Sequence, residues 1–137
     1  MRVFLDANTL FSAAKSDGAV RALLSLLLER GHEHSVDAYG VAEARRNLVN
    51  KGAHAIEVLD ELLGRMQVAP AMSSAAEAVD LGWLPPKDRP VLAAAMGLRC
   101  DVLVTGDRKH FGSAFAQQIG GVTIHSPRSL AEAVLGS

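Results

Sequence analysis

Asp6 and Asp107 each close a short apolar run. Asp6 follows Val3-Phe4-Leu5 directly, and Asp107 follows Val102-Leu103-Val104 after Thr105-Gly106. A carboxylate set against apolar residues is costly unless it is paired, hydrogen-bonded or metal-bound. Either aspartate can instead cap a following helix. Asn8, Thr9 and Thr105 are polar neighbours able to hold a carboxylate or a water. Asp88, in Pro86-Lys87-Asp88-Arg89-Pro90, opens a helix, where an acid also complements the helix dipole. By spacing alone Asp88 is balanced between cap and site. Glu43, in Ala42-Glu43-Ala44-Arg45-Arg46, reads on its own as a solvated helix-surface acid. Asp17, Asp37, Asp60, Glu61, Glu77, Asp80 and Asp101 read as caps or surface charges.

Clustered carboxylates repel one another unless a cation joins them. Mg²⁺ and Mn²⁺ are hard ions that prefer oxygen ligands. Such an ion lowers the pKa of a bound water, polarises a phosphate and stabilises a departing oxygen. The matching chemistry is phosphodiester hydrolysis without a covalent intermediate. Lys87, Arg89, Arg108, Lys109 and His110 flank two of the acids and suit contacts to phosphates, or simple solvation in loops. Arg45 and Arg46 have the same two readings.

Alternating elements can carry these groups. Apolar runs predict strands at Arg2–Leu5, His34–Val36, Met66–Val68, Asp101–Thr105 and Val122–Ile124. Helical patterns run over Val20–Leu28, Tyr39–Val49, Ala55–Leu63 and Asp88–Leu98, with Gly31, Gly52 and Gly64 as stops. A helix from Ser73 or Ser74 to Leu81 and one over Arg108–Gln118 complete the middle and end. Ser126-Pro127 opens a last helix to Leu135. The alternation predicts an α/β fold: a parallel sheet of four to five strands sandwiched by helices. Ligands of such folds bind beyond the carboxyl ends of the strands, where Asp6 and Asp107 fall.

A chain of 137 residues suits one domain spanning 1–137. The formal net charge of −1 does not decide whether nucleic acid is a partner. One cysteine, Cys100, excludes an internal disulfide and a Cys-rich zinc site. No apolar run is long enough to span a membrane, and the N-terminus lacks a signal-peptide pattern, so a cytoplasmic location is expected.

Val3-Phe4-Leu5-Asp6-Ala7-Asn8-Thr9-Leu10, the start Lys87-Asp88-Arg89-Pro90-Val91-Leu92-Ala93-Ala94-Ala95, and Leu103-Val104-Thr105-Gly106-Asp107-Arg108 resemble the PIN domain. The likeness is closest to single-domain bacterial members, the VapC-like toxins of toxin–antitoxin pairs. It implies a Mg²⁺- or Mn²⁺-dependent endoribonuclease. Asp6, Glu43, Asp88 and Asp107 would be both catalytic residues and metal ligands, with Asn8 and Thr105 as supporting polar groups. Glu43 enters only through this resemblance, with Glu33, Asp37 and Glu57 as substitutes. The implied partners are an RNA substrate, a small antitoxin protein and a second copy in a homodimer. Some relatives carry a further acid just after the last one, where this chain has Arg108, Lys109 and His110.

Two other readings compete. A non-catalytic PIN-fold protein-binding module would keep the fold but lack acids or metal. A phosphatase of the haloacid dehalogenase type needs an acid two residues after its first Asp, where this chain has Asn8.

Overall fold

A computed structural model describes residues 1–70, 82, 84, 89–106 and 117–136. Among these residues, six strands form one sheet: β1 (Arg2–Leu5), β2 (Glu33–Asp37), β3 (Gln67–Ala69), β4 (Val102–Val104), β5 (Gln118–Ile119) and β6 (Val122–His125). Their order is β3-β2-β1-β4-β6-β5. All neighbouring pairs are parallel except β5 with β6. The chain therefore starts in the centre, steps outward through β2 to β3, then returns to β4 on the other flank of β1. The gap beyond the ends of β1 and β4 is the topological switch point, where open α/β sheets form their binding crevice.

The helices are α1 (Ala7–Lys15), α2 (Ala19–Glu29), α3 (Ala38–Leu48), α4 (Ala53–Leu63), α5 (Arg89–Gly97) and α6 (Pro127–Leu135). Alternation along the strands sorts the core into two layers. Val3, Leu5, Val36, Val102 and Val104 meet buried residues of α1 to α4 and α6. Phe4, Leu103, Val122 and Ile124 meet Leu92, Ala94 and Ala95 of α5 on the opposite face. Leu23, Leu24 and Leu27 place the apolar stripe of α2 inside the first layer.

The parallel α/β sandwich expected from the alternation is present, with two differences. Helix α1 was foreseen only as the helix that Asp6 could cap, with no extent given to it, because Ala7–Lys15 is short. The sheet has six strands rather than four to five. The sixth is β5, whose first residue, Gln118, was expected to end a helix; Gly120 and Gly121, both at positive φ, instead fold Gln118 and Ile119 back onto β6. Residues 108–116 of that expected helix, and the helix expected from Ser73 or Ser74, lie outside the described residues.

Candidate active site

The register of the sheet builds the site. Phe4 pairs with Ser35, and Leu5 with Val104, which in turn pairs with His125. Continuing each register past the strand ends sets Asp37, Asp6, Thr105 and Ser126 side by side. They stand at the carboxyl ends of β2, β1, β4 and β6, with neighbouring strands about 4.8 Å apart. All four are buried: Asp6 and Asp37 are each 8% exposed, Thr105 0% and Ser126 9%. The row lies across the switch point, and every side chain in it ends in oxygen.

Each acid in the row is also a helix cap. Asp6 Oδ1 accepts the Thr9 amide at 2.8 Å and opens α1. Asp37 Oδ1 accepts the Gly40 amide at 2.8 Å and opens α3. The cap reading of Asp6 is thus structurally correct, and it does not compete with a role at the edge. A cap bond engages one carboxylate oxygen, and a carboxylate can accept at both. Thr9 Oγ1 donates to the Val104 carbonyl at 3.2 Å, and the Asp6 amide donates to the same carbonyl at 3.3 Å. These two bonds tie the start of α1 to the end of β4. Asn8 is exposed in the first turn of α1.

Gly40 lets the two capped helix starts approach. A Cβ there would stand 3.0 Å from Asp37 Oδ1 and 4.0 Å from the Ala7 amide nitrogen. Helix α3 packs more extensively on α1 than on any other helix. Its buried stripe is Gly40, Ala44 and Leu48. Glu43 lies one turn beyond Gly40, beside that stripe, and is half-buried. Helical side chains lean toward the helix N-terminus, which for α3 is the edge bearing Asp37 and Asp6.

The substitutes for Glu43 separate cleanly. Glu33 begins β2 at the opposite edge, where it pairs with Arg2 at 3.5 Å. Glu57 is exposed on α4 beside His54. Only Asp37 stands in the row; on its own residues it reads as a cap or surface charge, and only the family resemblance offered it as a substitute for Glu43. Its signal was weak: it ends a strand as Asp6 does, but in Glu33-His34-Ser35-Val36-Asp37 only Val36 is apolar.

Asp88, Asp107, Lys87, Arg108, Lys109 and His110 lie outside the described residues. Gly106, the residue before Asp107, follows Thr105 at the end of β4. Arg89 is committed locally: its guanidinium donates to the Leu84 carbonyl at 2.9 Å and the Gly82 carbonyl at 3.4 Å. Arg45 pairs with Asp60 at 2.8 Å, which favours the surface-pair reading over phosphate contact. At the far end of the row, His125 Nδ1 lies 2.8 Å from Ser129 Oγ, and burial pushes its pKa down. Ser129 in turn completes a capping box with Ser126.

Among the described residues, no three His, Cys, Asp or Glu side chains converge as a metal centre. The donor set that the row does supply is all oxygen, with two neighbouring carboxylates. That suits Mg²⁺ or Mn²⁺ and not a soft ion.

A parallel α/β sheet with buried aspartates at the carboxyl ends of its central strands defines a class of acid-edged α/β domains. The PIN domain profile matches residues 2–109, and this chain belongs to the PIN domain family. Its fold is shared with a chain in the crystal structure of VapBC2 from Rickettsia felis bound to a DNA fragment from their promoter. The TM-score is 0.68 at 15% identity, covering 92% of this chain and 98% of that one. Comparison with curated proteins returns no match.

Proposed function

We propose that this PIN domain is a Mg²⁺- or Mn²⁺-dependent endoribonuclease of the VapC-like toxin type, held in check by a small antitoxin. The observation that carries the reading is the pair of buried aspartates, Asp6 and Asp37, at adjoining strand ends beside the switch point. A buried carboxylate pair is expensive to maintain unless a cation shares its charge.

In this reading Asp6, Glu43, Asp88 and Asp107 would hold the metal, with Asp37 beside Asp6 adding negative charge to the site; the metal would supply an activated water and charge stabilisation at the phosphate. Asp6 is fixed by its own cap bond, so its second oxygen keeps one orientation without side-chain reorganisation. Thr105, supported by its amide bond to the His125 carbonyl at 2.9 Å, orients a neighbouring carboxylate or water. Asn8, exposed beside Asp6, offers an amide to the substrate. Tyr39, 55% exposed in the first turn of α3, offers a ring face on which an unpaired base can stack. Lys87, Arg108 and Lys109 contribute phosphate contacts. The fold match to a VapBC2 complex supports an antitoxin partner, and in this reading that partner covers the acidic edge.

Incubation of the purified protein with single-stranded and hairpin RNA tests the reading. Cleavage should stop on chelation and return on adding Mn²⁺. No cleavage of any RNA, together with no heat of Mn²⁺ binding by calorimetry, would refute it in favour of a protein-binding module.

A further inference from the structure

His125, at the end of β6, leaves one hydrogen-bonding atom unused at the carboxyl edge of the sheet. It pairs with Val104 in the sheet register, and its carbonyl accepts the Thr105 amide at 2.9 Å. Its backbone therefore stands two strand spacings from that of Asp6, about 10 Å. The residue is half-buried. Nδ1 lies 2.8 Å from Ser129 Oγ in the first turn of α6. Nε2, on the other side of the ring, has no partner among the described residues. Unlike the two ring nitrogens of His34, it is not sealed from water.

The hydrogen bonds around Ser129 decide the tautomer. A hydroxyl has one hydrogen and two lone pairs. Ser129 Oγ accepts the Ser126 amide at 3.0 Å, which takes one lone pair. It lies 3.2 Å from the Ser126 carbonyl, which can only accept, so the hydroxyl hydrogen goes there. The remaining lone pair meets His125 Nδ1, which therefore donates. Burial lowers the His125 pKa from 6.5, so at pH 7 the ring is neutral. Nε2 is then a bare lone pair, held in one direction by the capping box that starts α6.

A fixed lone pair selects its partner by chemistry. Phosphodiester oxygens and the sugar ring oxygen only accept, so Nε2 repels them. The donors on a nucleic-acid chain are base N–H groups and the ribose 2′-hydroxyl. The hydroxyl is carried by every nucleotide of RNA and by none of DNA. It also lies next to the backbone, the part of the chain that an edge holding a phosphate keeps nearest. We propose that His125 Nε2 accepts the hydrogen of a ribose 2′-hydroxyl, so that this edge selects RNA over DNA at a nucleotide beside the cleaved bond. The proposal rests on the nuclease reading above. His125 is then a specificity residue: it touches a sugar and takes no part in breaking the bond.

The test has two parts, both on the full chain. With ¹⁵N-labelled histidine at pH 7, NMR should find the His125 proton on Nδ1 and none on Nε2; the opposite tautomer overturns the proposal without any reference to activity. An RNA that the protein cleaves is then made with a single 2′-deoxy or 2′-fluoro sugar at each position in turn. The 2′-fluoro sugar keeps the ribose pucker but has no hydrogen to donate. At one position near the cleaved bond both should lower kcat/KM about fivefold, the worth of one neutral hydrogen bond. His125→Leu should erase that ratio while treating the other positions as wild type does. His125→Gln, whose amide oxygen falls near the place of Nε2, should keep most of it. A purely structural role would lower Tm and leave the ratio unchanged. A flat scan, 2′-fluoro cleaved as well as hydroxyl, a preference that follows a base amino group instead, or an unchanged ratio in folded His125→Leu would each overturn the proposal. Cleavage with a flat scan refutes this inference alone, whereas no cleavage of any RNA refutes the nuclease reading and this inference with it.

Discussion

Replacing Asp6 in two ways separates its two jobs. Asparagine keeps a cap oxygen for the Thr9 amide but removes the charge; alanine removes both. Asn and Asp are nearly equal caps, whereas loss to Ala costs typically about 1 kcal/mol. At about 2.1 cal/mol/K per residue, the unfolding entropy of this chain makes 1 kcal/mol worth about 3–4 °C in Tm. Both variants remove the same negative charge, so the difference between them isolates the cap. Asp6→Asn should therefore melt about 3–4 °C above Asp6→Ala by calorimetry, following that cap energy. Both should lose cleavage by at least about 100-fold, the usual loss when a preorganised charge at a reacting phosphate is removed. The assay is metal-dependent cleavage of a labelled RNA beside a thermal scan, each with and without Mn²⁺. Wild-type Tm should rise with Mn²⁺ by linkage, and neither variant should follow it fully. If Asp6→Asn cleaves like wild type, the metal role is wrong. If the two variants melt together, the cap bond carries no stability.

Two other perturbations follow from the geometry. Gly40→Ala would gain up to about 1 kcal/mol in an ordinary helix. Here the new methyl meets Asp37 Oδ1 at 3.0 Å, an overpacking that costs about 1–3 kcal/mol. The net effect should be destabilising and should lower cleavage by moving α3 off α1; a Tm increase would show that Asp37 is free to yield. His34 sets an acid limit. Its folded pKa is lowered, to about 4 from 6.5, so the unfolded chain takes up its proton first. Its contribution is complete above pH 6.5 and is lost as pH falls toward 4. At about 1.4 kcal/mol per pH unit the loss is roughly 3 kcal/mol. His34→Leu should flatten urea-derived stability over that interval; an unchanged slope would mean that other groups govern acid unfolding.

Local signals in the sequence carried the helices and strands that have strong periods and clean stops. Helix α2 ends at Gly31, whose φ of +82° only glycine adopts without strain. Helix α6 opens on Ser126-Pro127 as expected. Asp6 was legible because a buried strand ends on it. The extent of helix α1 and the strand β5 were not legible. The nine residues of α1 hold together largely by packing on α3, α4 and α2, and the two residues of β5 are a strand only because Gly120-Gly121 presses them against β6. Propensity over so few residues is too weak to compete with such contacts.

The acids divide along the same line. Sequence by itself determined that Asp6 ends a strand and that Glu43 sits within a helix. Only the tertiary structure decided which acids are neighbours. Strand order is a property of non-local hydrogen bonds, invisible to local spacing. It brings Asp37, thirty-one positions away in the chain, to the side of Asp6. The same pairing sends Glu33, just four residues before Asp37, to the opposite edge, because a strand of five residues spans the sheet from end to end.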